Sequence, residues 1–250
     1  MRSRQSERGV PLVRIGTSGW HYDHWIGEVY PEHLGSGELL EYYSDLFGTV
    51  EINNSFYSMP SAKTLRSWSG TVPNGFVFSM KASRYITHMK KLTDAEEPVG
   101  RFMERADALG HRLGPILFQL PPRWRCNPTR LAEFLQTLPE DRRHAMEFRD
   151  ESWFCGEVYS LLEEHGVAFC IYQLAGRQSP RETTADFVYI RLHGPGEAYR
   201  GSYSDRDLQG WAGAVSAWNG GGRDVFLYFD NDERGYAARD ALRLKQMLED

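Results

Sequence analysis

Short apolar runs alternate with longer amphipathic segments along the chain. Eight runs of five to seven residues are rich in β-branched and aromatic residues, a composition that predicts strands. They are Val13–Ser18, Thr49–Asn53, Phe76–Lys81, Pro115–Leu120, His144–Arg149, Val167–Tyr172, Phe187–His193 and Asp224–Asp230. Their starts are spaced by about 30 residues on average, which is the length of one βα unit. The pattern therefore predicts a parallel sheet made of repeated βα units.

Six segments between these strands carry apolar residues at helical spacing. They are Ser61–Ser69, Pro98–Leu113, Pro128–Leu138, Phe154–His165, Asp205–Trp218 and Tyr236–Leu248. The stretch from Gly176 to Asp186 is short and polar and contains Pro180, so it predicts no full helix.

Eight strands with seven or eight helices fit a single closed (β/α)8 barrel of the TIM type with a degenerate sixth helical connection. A doubly wound open sheet is the alternative, but its dinucleotide-binding glycine pattern is missing. Gly16 and Gly19 lack the third glycine, and residues 220–222 precede a strand where they should follow one. No Pro/Gly/Ser-rich linker interrupts the pattern. We therefore expect one barrel domain over residues 13–250 after a flexible tail of residues 1–12.

Polar residues alternate with apolar ones where several predicted strands end. Side chains at i and i+2 share one face of a strand, and the functional face of a parallel barrel is its carboxyl-terminal end. We therefore expect a polar pocket in the barrel mouth, built from Glu51, Asn53, Lys81, Gln119, Glu147, Arg149, Arg191, His193, Tyr228 and Asp230. Within it, His193 is expected to titrate near neutrality. The alternative is a salt-bridged plug inside the barrel, because buried charges have to pair with one another.

The loops after the strands add further candidate ligand contacts. An aromatic loop follows the first strand, and its Trp20 is placed to stack on a flat ligand. A basic loop with Tyr85 and His88 follows the third strand and indicates anion binding, although a solvated loop has the same composition. A glycine-rich loop with Tyr199 follows the seventh strand and is typical of a mobile lid or a substrate-binding loop, and Asn231 comes directly after the eighth.

Composition narrows the class of protein without naming a reaction. The chain has 250 residues, with 34 acidic and 29 basic side chains and a net charge of −5, which argues against a surface that coats nucleic acid. Its three cysteines lie far apart in the sequence and indicate reduced thiols in the cytoplasm. No apolar run approaches the ~20 residues of a membrane span, so no membrane partner is expected.

Several of these motifs occur together in one known family. They are Gly16–Trp20, Val50–Asn53 with Phe56 and Tyr57, Phe78–His88, Phe118–Pro122, Glu147–Arg149 with Ser152–Phe154, Tyr189–Gly194 and Tyr228–Asn231. In this order, from about Val13 to Leu248, they resemble the YecE-like family, also called domain of unknown function 72. The resemblance implies a TIM-type barrel and a shared pocket, without an established reaction. One departure is Gln173, which follows Tyr172 where we expect an acidic residue in relatives.

The leading hypothesis is an enzyme that binds a small anionic molecule, phosphorylated or carboxylated, at the carboxyl-terminal mouth of the barrel. Lys81 and the two arginines of the pocket would hold the anion through charge-assisted hydrogen bonds. Glu147 or His193 would transfer a proton, and Asp230 would orient His193 or serve as the partner acid.

Two other classes of function stay open at this point. One is a metal-dependent hydrolase of the endonuclease type acting on nucleic acid, with a divalent metal held by Glu51, Glu147, His193 and Asp230. The same pocket also contains three cations, Lys81, Arg149 and Arg191. A metal-dependent hydrolase with nucleic acid as its partner is therefore less favoured than an enzyme with a small anionic ligand. The other is a non-catalytic protein that binds the same ligand without turnover. No cofactor is predicted beyond that divalent metal.

Overall fold

Eight parallel strands form a nearly closed barrel in the computed structural model, which describes residues 10–249. The strands are β1 (Val13–Thr17), β2 (Thr49–Ile52), β3 (Val77–Lys81), β4 (Leu113–Gln119), β5 (His144–Glu147), β6 (Ala168–Leu174), β8 (Phe187–Leu192) and β9 (Asp224–Phe229). Their hydrogen-bonded order is β1-β9-β8-β6-β5-β4-β3-β2. Each predicted strand is present, with ends displaced by two residues or fewer, so the predicted α/β barrel is confirmed.

Seven α-helices cover the outside of the described barrel. They are α1 (Leu39–Leu46), α2 (Ala62–Thr71), α3 (Glu96–Ala106), α4 (Pro128–Leu135), α5 (Gly156–Glu164), α6 (Asp205–Gly220) and α7 (Tyr236–Glu249). The six predicted segments correspond to α2–α7, whereas α1 was not predicted. The segment Pro98–Leu113 is wrong as a single helix, because α3 ends at Ala106 and a 3-10 turn follows to Arg112, with Gly110 at φ 60°.

The connection after β6 contains no α-helix, as the polar stretch from Gly176 to Asp186 predicted. The chain instead turns back through the short strand β7 (Arg177–Gln178), which pairs antiparallel with β6. Ser179 then accepts a hydrogen bond from the backbone N–H of Tyr172 at 2.9 Å. The pairing with β7 and the contact with Ser179 provide hydrogen-bond partners for backbone groups at the end of β6, which would otherwise need other partners.

The alternation of side chains along the strands separates two cores. A small cluster fills the barrel interior and consists of Leu117, Ala145, Ala168, Cys170, Phe187, Tyr189, Phe226 and Tyr228. The much larger cluster lies between the sheet and the helices. Because the side-chain period of a strand is two, residues that follow the interior cluster at the next alternate positions have to point into the barrel mouth. Arg191, two residues after Tyr189, is one of them.

A tyrosine hydroxyl bridges the seam between β1 and β2. These strands are joined by a single bridge between Ser18 and Glu51, while Tyr43 from α1 inserts its hydroxyl between the strands. The hydroxyl accepts from the Thr17 backbone N–H at 2.9 Å and lies 3.1 Å from the Thr49 carbonyl oxygen, to which it donates. Gly16 permits the close approach, because a Cβ there would lie 2.2 Å from that carbonyl oxygen.

The predicted tail falls mostly on residues 1–9, which lie outside the described residues. Its last residue, Leu12, is held against β9: its N–H donates to Asp224 Oδ1 at 2.8 Å and its carbonyl accepts from Val225 at 2.9 Å. No helix among residues 10–249 has the length and apolar character required to cross a bilayer.

Candidate active site at the barrel mouth

Arg191 of β8 lies at the centre of a buried network of charges. Its guanidinium donates to Glu51 (2.8 to 3.1 Å), to Glu147 Oε2 at 2.9 Å and to Asp230 Oδ2 at 3.1 Å. A further contact reaches Ser18 Oγ at 3.2 Å. Strands β2 and β5 and the residue that follows β9 thus each direct a carboxylate at one guanidinium that is fully shielded from solvent.

Glu51 is held from both sides of the barrel. It accepts from the Tyr189 hydroxyl at 2.6 Å and from Arg191, and it also pairs with the Ser18 hydroxyl. Ser18 in turn accepts from the Asn53 side-chain amide at 2.7 Å. Both carboxylate oxygens of Glu51 accept hydrogen bonds from protein donors. Glu51 therefore holds neighbouring side chains in place and is not available to a ligand.

Glu147 and Arg149 form a second ion pair beside Arg191. Arg149 Nε pairs with Glu147 Oε1, and its Nη2 lies 3.0 Å from His193 Nε2. The guanidinium also lies over the ring of Tyr172, with 4.7 Å between its carbon and the ring centre. Burial opposes ionisation of Glu147, but Arg149 and Arg191 outweigh it and hold the pKa of this carboxyl well below its usual range.

The expectation that His193 titrates near neutrality is wrong. The ring is completely buried, and burial together with Arg191 and Arg149 lowers its pKa well below the usual value. Nε2 faces two guanidinium groups, while Nδ1 lies 2.8 Å from Asp230 Oδ2. This arrangement fits a neutral imidazole that donates from Nδ1 to Asp230 and accepts at Nε2.

Lys81 lies at the floor of a cavity of about 440 Å³. Asp230 and Tyr199 line this cavity together with residues of the first loop, residues that follow β2 and one residue of α2. These are Gly19, Trp20, His21, Tyr22, Asn53, Asn54, Tyr57 and Trp68. The Lys81 side chain is nine-tenths buried, and Nζ lies 4.4 Å from the centre of the Phe56 ring. Within residues 10–249 no carboxylate is within ion-pair distance of Nζ. Burial and the nearby Arg191 lower the pKa of Lys81 to about 8.

Asp230 has one oxygen committed to the network and one directed elsewhere. The hydrogen bonds from Arg191 and His193 both reach Oδ2, which leaves Oδ1 for the cavity that Asp230 lines. Burial raises the pKa of this carboxyl, and Arg191 and Lys81 only partly offset the effect. In the same cavity, Oδ1 of Asn53 is buried without a hydrogen-bond partner in the described chain.

A second cavity of about 630 Å³ opens beside the first and shares Tyr199 with it. Gln119, Arg149, Tyr172 and Arg177 lie in its wall. Nε of Arg149 forms the ion pair with Glu147 and Nη2 lies beside His193, whereas Nη1 has neither kind of partner among residues 10–249. Arg149 therefore brings a guanidinium with free donors to the wall of this cavity.

Tyr199 stands between the two cavities because its loop is tightly folded. The ring packs edge-on against His193 at 5.4 Å between centres, and the residue has φ 64°. Gly194 begins the loop at φ 111°, where a Cβ would lie 2.5 Å from the Arg200 carbonyl oxygen. Position 194 is thus restricted to glycine. At Tyr199, the loop after β8 covers His193 of the charge network.

Four predicted ligand contacts lie away from both cavities. Tyr228 is buried below the network and hydrogen-bonds the hydroxyls of Thr49 and Ser79, and Asn231 donates to Asp240 and to the Gly201 carbonyl. Tyr85 is on the outer rim, and His88 packs against the ring of Phe56. The structure thus brings Trp20, Asn53, Lys81, Gln119, Arg149, Tyr199 and Asp230 to the cavity walls and keeps Glu51, Glu147, Arg191 and His193 behind them.

Sequence reasoning left out several residues of the site. Trp68 sits on the apolar face of α2, where helical spacing indicates only core packing, yet it lines the first cavity and packs edge-on against Trp20 at 4.8 Å. Tyr189 could have been found, because it precedes Arg191 by two residues on the same strand face. Ser18 directly follows β1 and lies two residues after Gly16.

The alternative set of metal ligands does not surround a vacant centre. Glu51, Glu147 and Asp230 all accept hydrogen bonds from Arg191, so a positive guanidinium occupies the point on which they converge. In the described part of the chain, no group of three or more His, Cys, Asp or Glu side chains is arranged to hold a metal ion. This donor set therefore does not fit a divalent cation.

The fold and the mouth define a class: a single-chain (β/α)8 barrel protein with a charge-balanced site at the carboxyl ends of its strands. Comparison with known families narrows the class. The model of the family described as protein of unknown function DUF72 matches residues 14–250. The chain therefore belongs to the DUF72 family, as the motifs of the sequence predicted.

Individual relatives agree with this assignment. YunF of Bacillus subtilis (strain 168), a UPF0759 protein, is 27% identical over 274 aligned residues that cover 95% of this chain and 94% of that protein. The crystal structure of a DUF72 family protein from Thermotoga maritima MSB8 is 30% identical, with a TM-score of 0.88 over 96% of this chain and all of that one. A D-psicose 3-epimerase, 11% identical, superimposes with a TM-score of 0.59 over 94% of this chain and 99% of its own, which shows the barrel fold alone.

Proposed function

We propose that this protein is an enzyme acting on a small anionic molecule, phosphorylated or carboxylated, in the two cavities of the barrel mouth. The observation that carries the proposal is the uneven use of the charged groups. Arg191 has its donors committed to the carboxylates around it, whereas Lys81 and Arg149 line the cavities, and neither Lys81 Nζ nor Arg149 Nη1 has a hydrogen-bond partner in the described chain.

Arg149 is the group best placed to hold the anion. A guanidinium stays charged at all physiological pH values and binds phosphate or carboxylate oxygens through charge-assisted hydrogen bonds. Glu147 and Tyr172 fix the orientation of this side chain, so little freedom is lost when a ligand binds Nη1. Arg191, which the sequence also suggested as an anion ligand, has its donors committed to carboxylates.

Lys81 and Asp230 are the groups available for proton transfer. A catalytic acid or base works best when its pKa is near the working pH, and the pKa of Lys81 is lowered to about 8. Asp230 presents Oδ1 to the same cavity, and its pKa is raised by burial. Glu147 and His193, the first candidates for this role, are shielded from both cavities, so we assign them to positioning Arg149 and Asp230.

The anion site is tested by the thermal stability of the protein with inorganic phosphate, small phosphomonoesters and short dicarboxylates. We expect at least one of these anions to raise the melting temperature, and Arg149→Lys to weaken its binding by about 10- to 100-fold through loss of charge-assisted hydrogen bonds. Arg177→Gln is the matched control, since Arg177 lies on the same cavity wall but is exposed. Equal binding by wild type and Arg149→Lys would overturn the assignment.

Turnover separates an enzyme from a binding protein. Once a ligand is found, Asp230→Asn is expected to abolish its conversion while keeping its affinity within a small factor, because the amide preserves the shape of the side chain but transfers no proton. A tight ligand that the wild-type protein never converts would instead identify a non-catalytic binding protein.

We also infer a cytoplasmic location. Cys126, Cys155 and Cys170 are free thiols in the structure, which supports a reducing compartment. Secretion of the protein in its native host, detected by cell fractionation, would contradict this inference.

A further inference from the structure

The amine of Lys81 is placed to act as a nucleophile. We propose that Lys81 forms an imine with a carbonyl carbon of the substrate, so that the substrate class is a small anionic aldehyde or ketone. This inference rests on the proposed function for the location of the ligand and adds the covalent step and the substrate class.

The position of Lys81 makes its amine accessible and easier to deprotonate than that of an ordinary lysine. The residue ends strand β3, so its backbone is fixed by the barrel, and its nitrogen opens into the first cavity. Within residues 10–249 no carboxylate is close enough to form an ion pair with Nζ. Burial and the charge of Arg191 oppose protonation, and the lowered pKa of about 8 agrees with this environment.

Two polar atoms in the same cavity supply what imine formation needs besides the amine. Asp230 Oδ1 is the oxygen that the network leaves uncommitted, and burial raises the pKa of this carboxyl. Asn53 Oδ1 is a buried acceptor without a partner in the described chain, while the Asn53 amide is fixed by Ser18. Asp230 can protonate the hydroxyl that leaves, and Asn53 Oδ1 can accept a hydrogen bond from that hydroxyl before it departs.

The step balances without a redox partner. The Nζ lone pair attacks the carbonyl carbon, the C–N bond forms, and the carbonyl π electrons move to oxygen, which takes one of the two protons of the attached amine to give a neutral carbinolamine. Asp230 then protonates the departing hydroxyl, water leaves, and the nitrogen lone pair forms the C=N bond. The products are a protonated imine on Lys81, one water molecule and the Asp230 carboxylate, which remains as a nearby counter-charge.

The other four lysines of the chain have different surroundings. Lys63 and Lys91 lie outside the two cavities, and Lys90 pairs with Asp94 at 3.3 Å on the surface. Lys245 donates to the Leu46 carbonyl at 2.6 Å at the opposite end of the barrel. They provide internal controls for chemical selectivity, because each reacts in the same sample as Lys81.

Borohydride trapping tests the proposal directly. The full-length protein is incubated with pyruvate or dihydroxyacetone phosphate as probes near neutral pH and reduced with sodium borohydride, and the modified lysine is located by peptide mass spectrometry. We expect one adduct on Lys81, exceeding any other lysine by on the order of tenfold or more, because an amine with a lowered pKa is neutral far more often at that pH. Trapping should increase as the pH rises toward about 8.

Two variants keep the test independent of folding. Lys81→Arg retains the positive charge and should lose the adduct, while Lys90→Arg should keep it, with circular dichroism confirming that both are folded. Adducts spread evenly over the lysines, or an unchanged adduct yield in Lys81→Arg, would overturn the imine.

Failure of this inference and failure of the proposed function give different results. Binding of anions that depends on Arg149, with no trapped adduct from either probe, would reject the imine and leave the anion site standing. Selective trapping of neutral glycolaldehyde on Lys81 as readily as of the anionic probes, with no anion binding, would support the nucleophile and reject the anion site.

Discussion

Arg191 shows how much a single buried charge depends on its partners. A guanidinium in the barrel interior loses its hydration, and only the carboxylates of Glu51, Glu147 and Asp230 compensate for that loss. The arrangement matches the salt-bridged plug that the sequence left open as an alternative, but Lys81 and Arg149 extend it into two cavities. The plug and the site are thus parts of one network.

Removing Arg191 is expected to destabilise the barrel strongly. Arg191→Met leaves three buried carboxylates without their central partner, and the free energy of unfolding should fall by about 3–5 kcal/mol. Urea denaturation measures the loss, with Arg101→Met as the control, since Arg101 pairs with Glu97 on the surface. A decrease of the same size in both variants would contradict the central role of Arg191.

Lys81 gives the stability of the protein a defined dependence on pH. Its pKa is about 8 in the folded protein, below the usual 10.5, so the unfolded chain binds this proton more tightly. The free energy of unfolding therefore gains a contribution as the pH rises from about 8 to 10.5. At neutral pH the protonated lysine lowers stability by up to about 3 kcal/mol.

Lys81→Met isolates that contribution. Methionine retains an apolar side chain against Phe56 without the charge, so the variant should be more stable than wild type at neutral pH. The difference should shrink as the pH rises through the interval between the two pKa values of Lys81. Chemical denaturation of both proteins across this range checks the trend, and a gap that widens with pH would contradict the assigned direction.

At the scale of elements, alternation within strands was the most informative signal. The i and i+2 rule correctly placed Glu147 with Arg149 and Arg191 with His193 on the inner face. Helix α1 was not predicted, although its buried residues Leu39, Leu40 and Tyr43 lie at helical spacing. The 3-10 turn after α3 continues the apolar spacing past Ala106, so the period alone could not show where the α-helix ends.

The seam between β1 and β2 depends on α1 and provides a test of that element. Tyr43→Phe removes the hydroxyl that accepts from the Thr17 N–H and leaves this buried donor without a partner. We expect the free energy of unfolding to fall by about 1–3 kcal/mol. Tyr42→Phe is the matched control on the same helix, and a similar loss in both variants would contradict the bridging role.

At the scale of the molecule, the charge network connects distant parts of the chain. Glu51 on β2 and Asp230 after β9 meet at Arg191 from opposite ends of the sequence. If one half of the barrel unfolded alone, the buried charges of the other half would lose their partners. This coupling supports the proposal that residues 13–250 form one domain.

A single cooperative transition is the expected consequence. Tryptophan fluorescence, which reports on seven tryptophans spread from Trp20 near β1 to Trp218 in α6, and far-ultraviolet circular dichroism should give coincident unfolding curves. Calorimetry should give equal calorimetric and van't Hoff enthalpies. Two separated transitions would instead indicate two independent folding units and would reject the single domain.

The amino-acid sequence by itself determined the strands, the barrel class, the family and the inner-facing polar positions. All of these follow from local periodicity and from motifs read along the chain. Only the tertiary structure decided which charges are consumed by one another and which face a cavity, as Arg191 and Lys81 illustrate. The reason is physical: burial, hydrogen-bond saturation and pKa shifts depend on distances between residues far apart in the sequence, and alternation specifies a face but no distance.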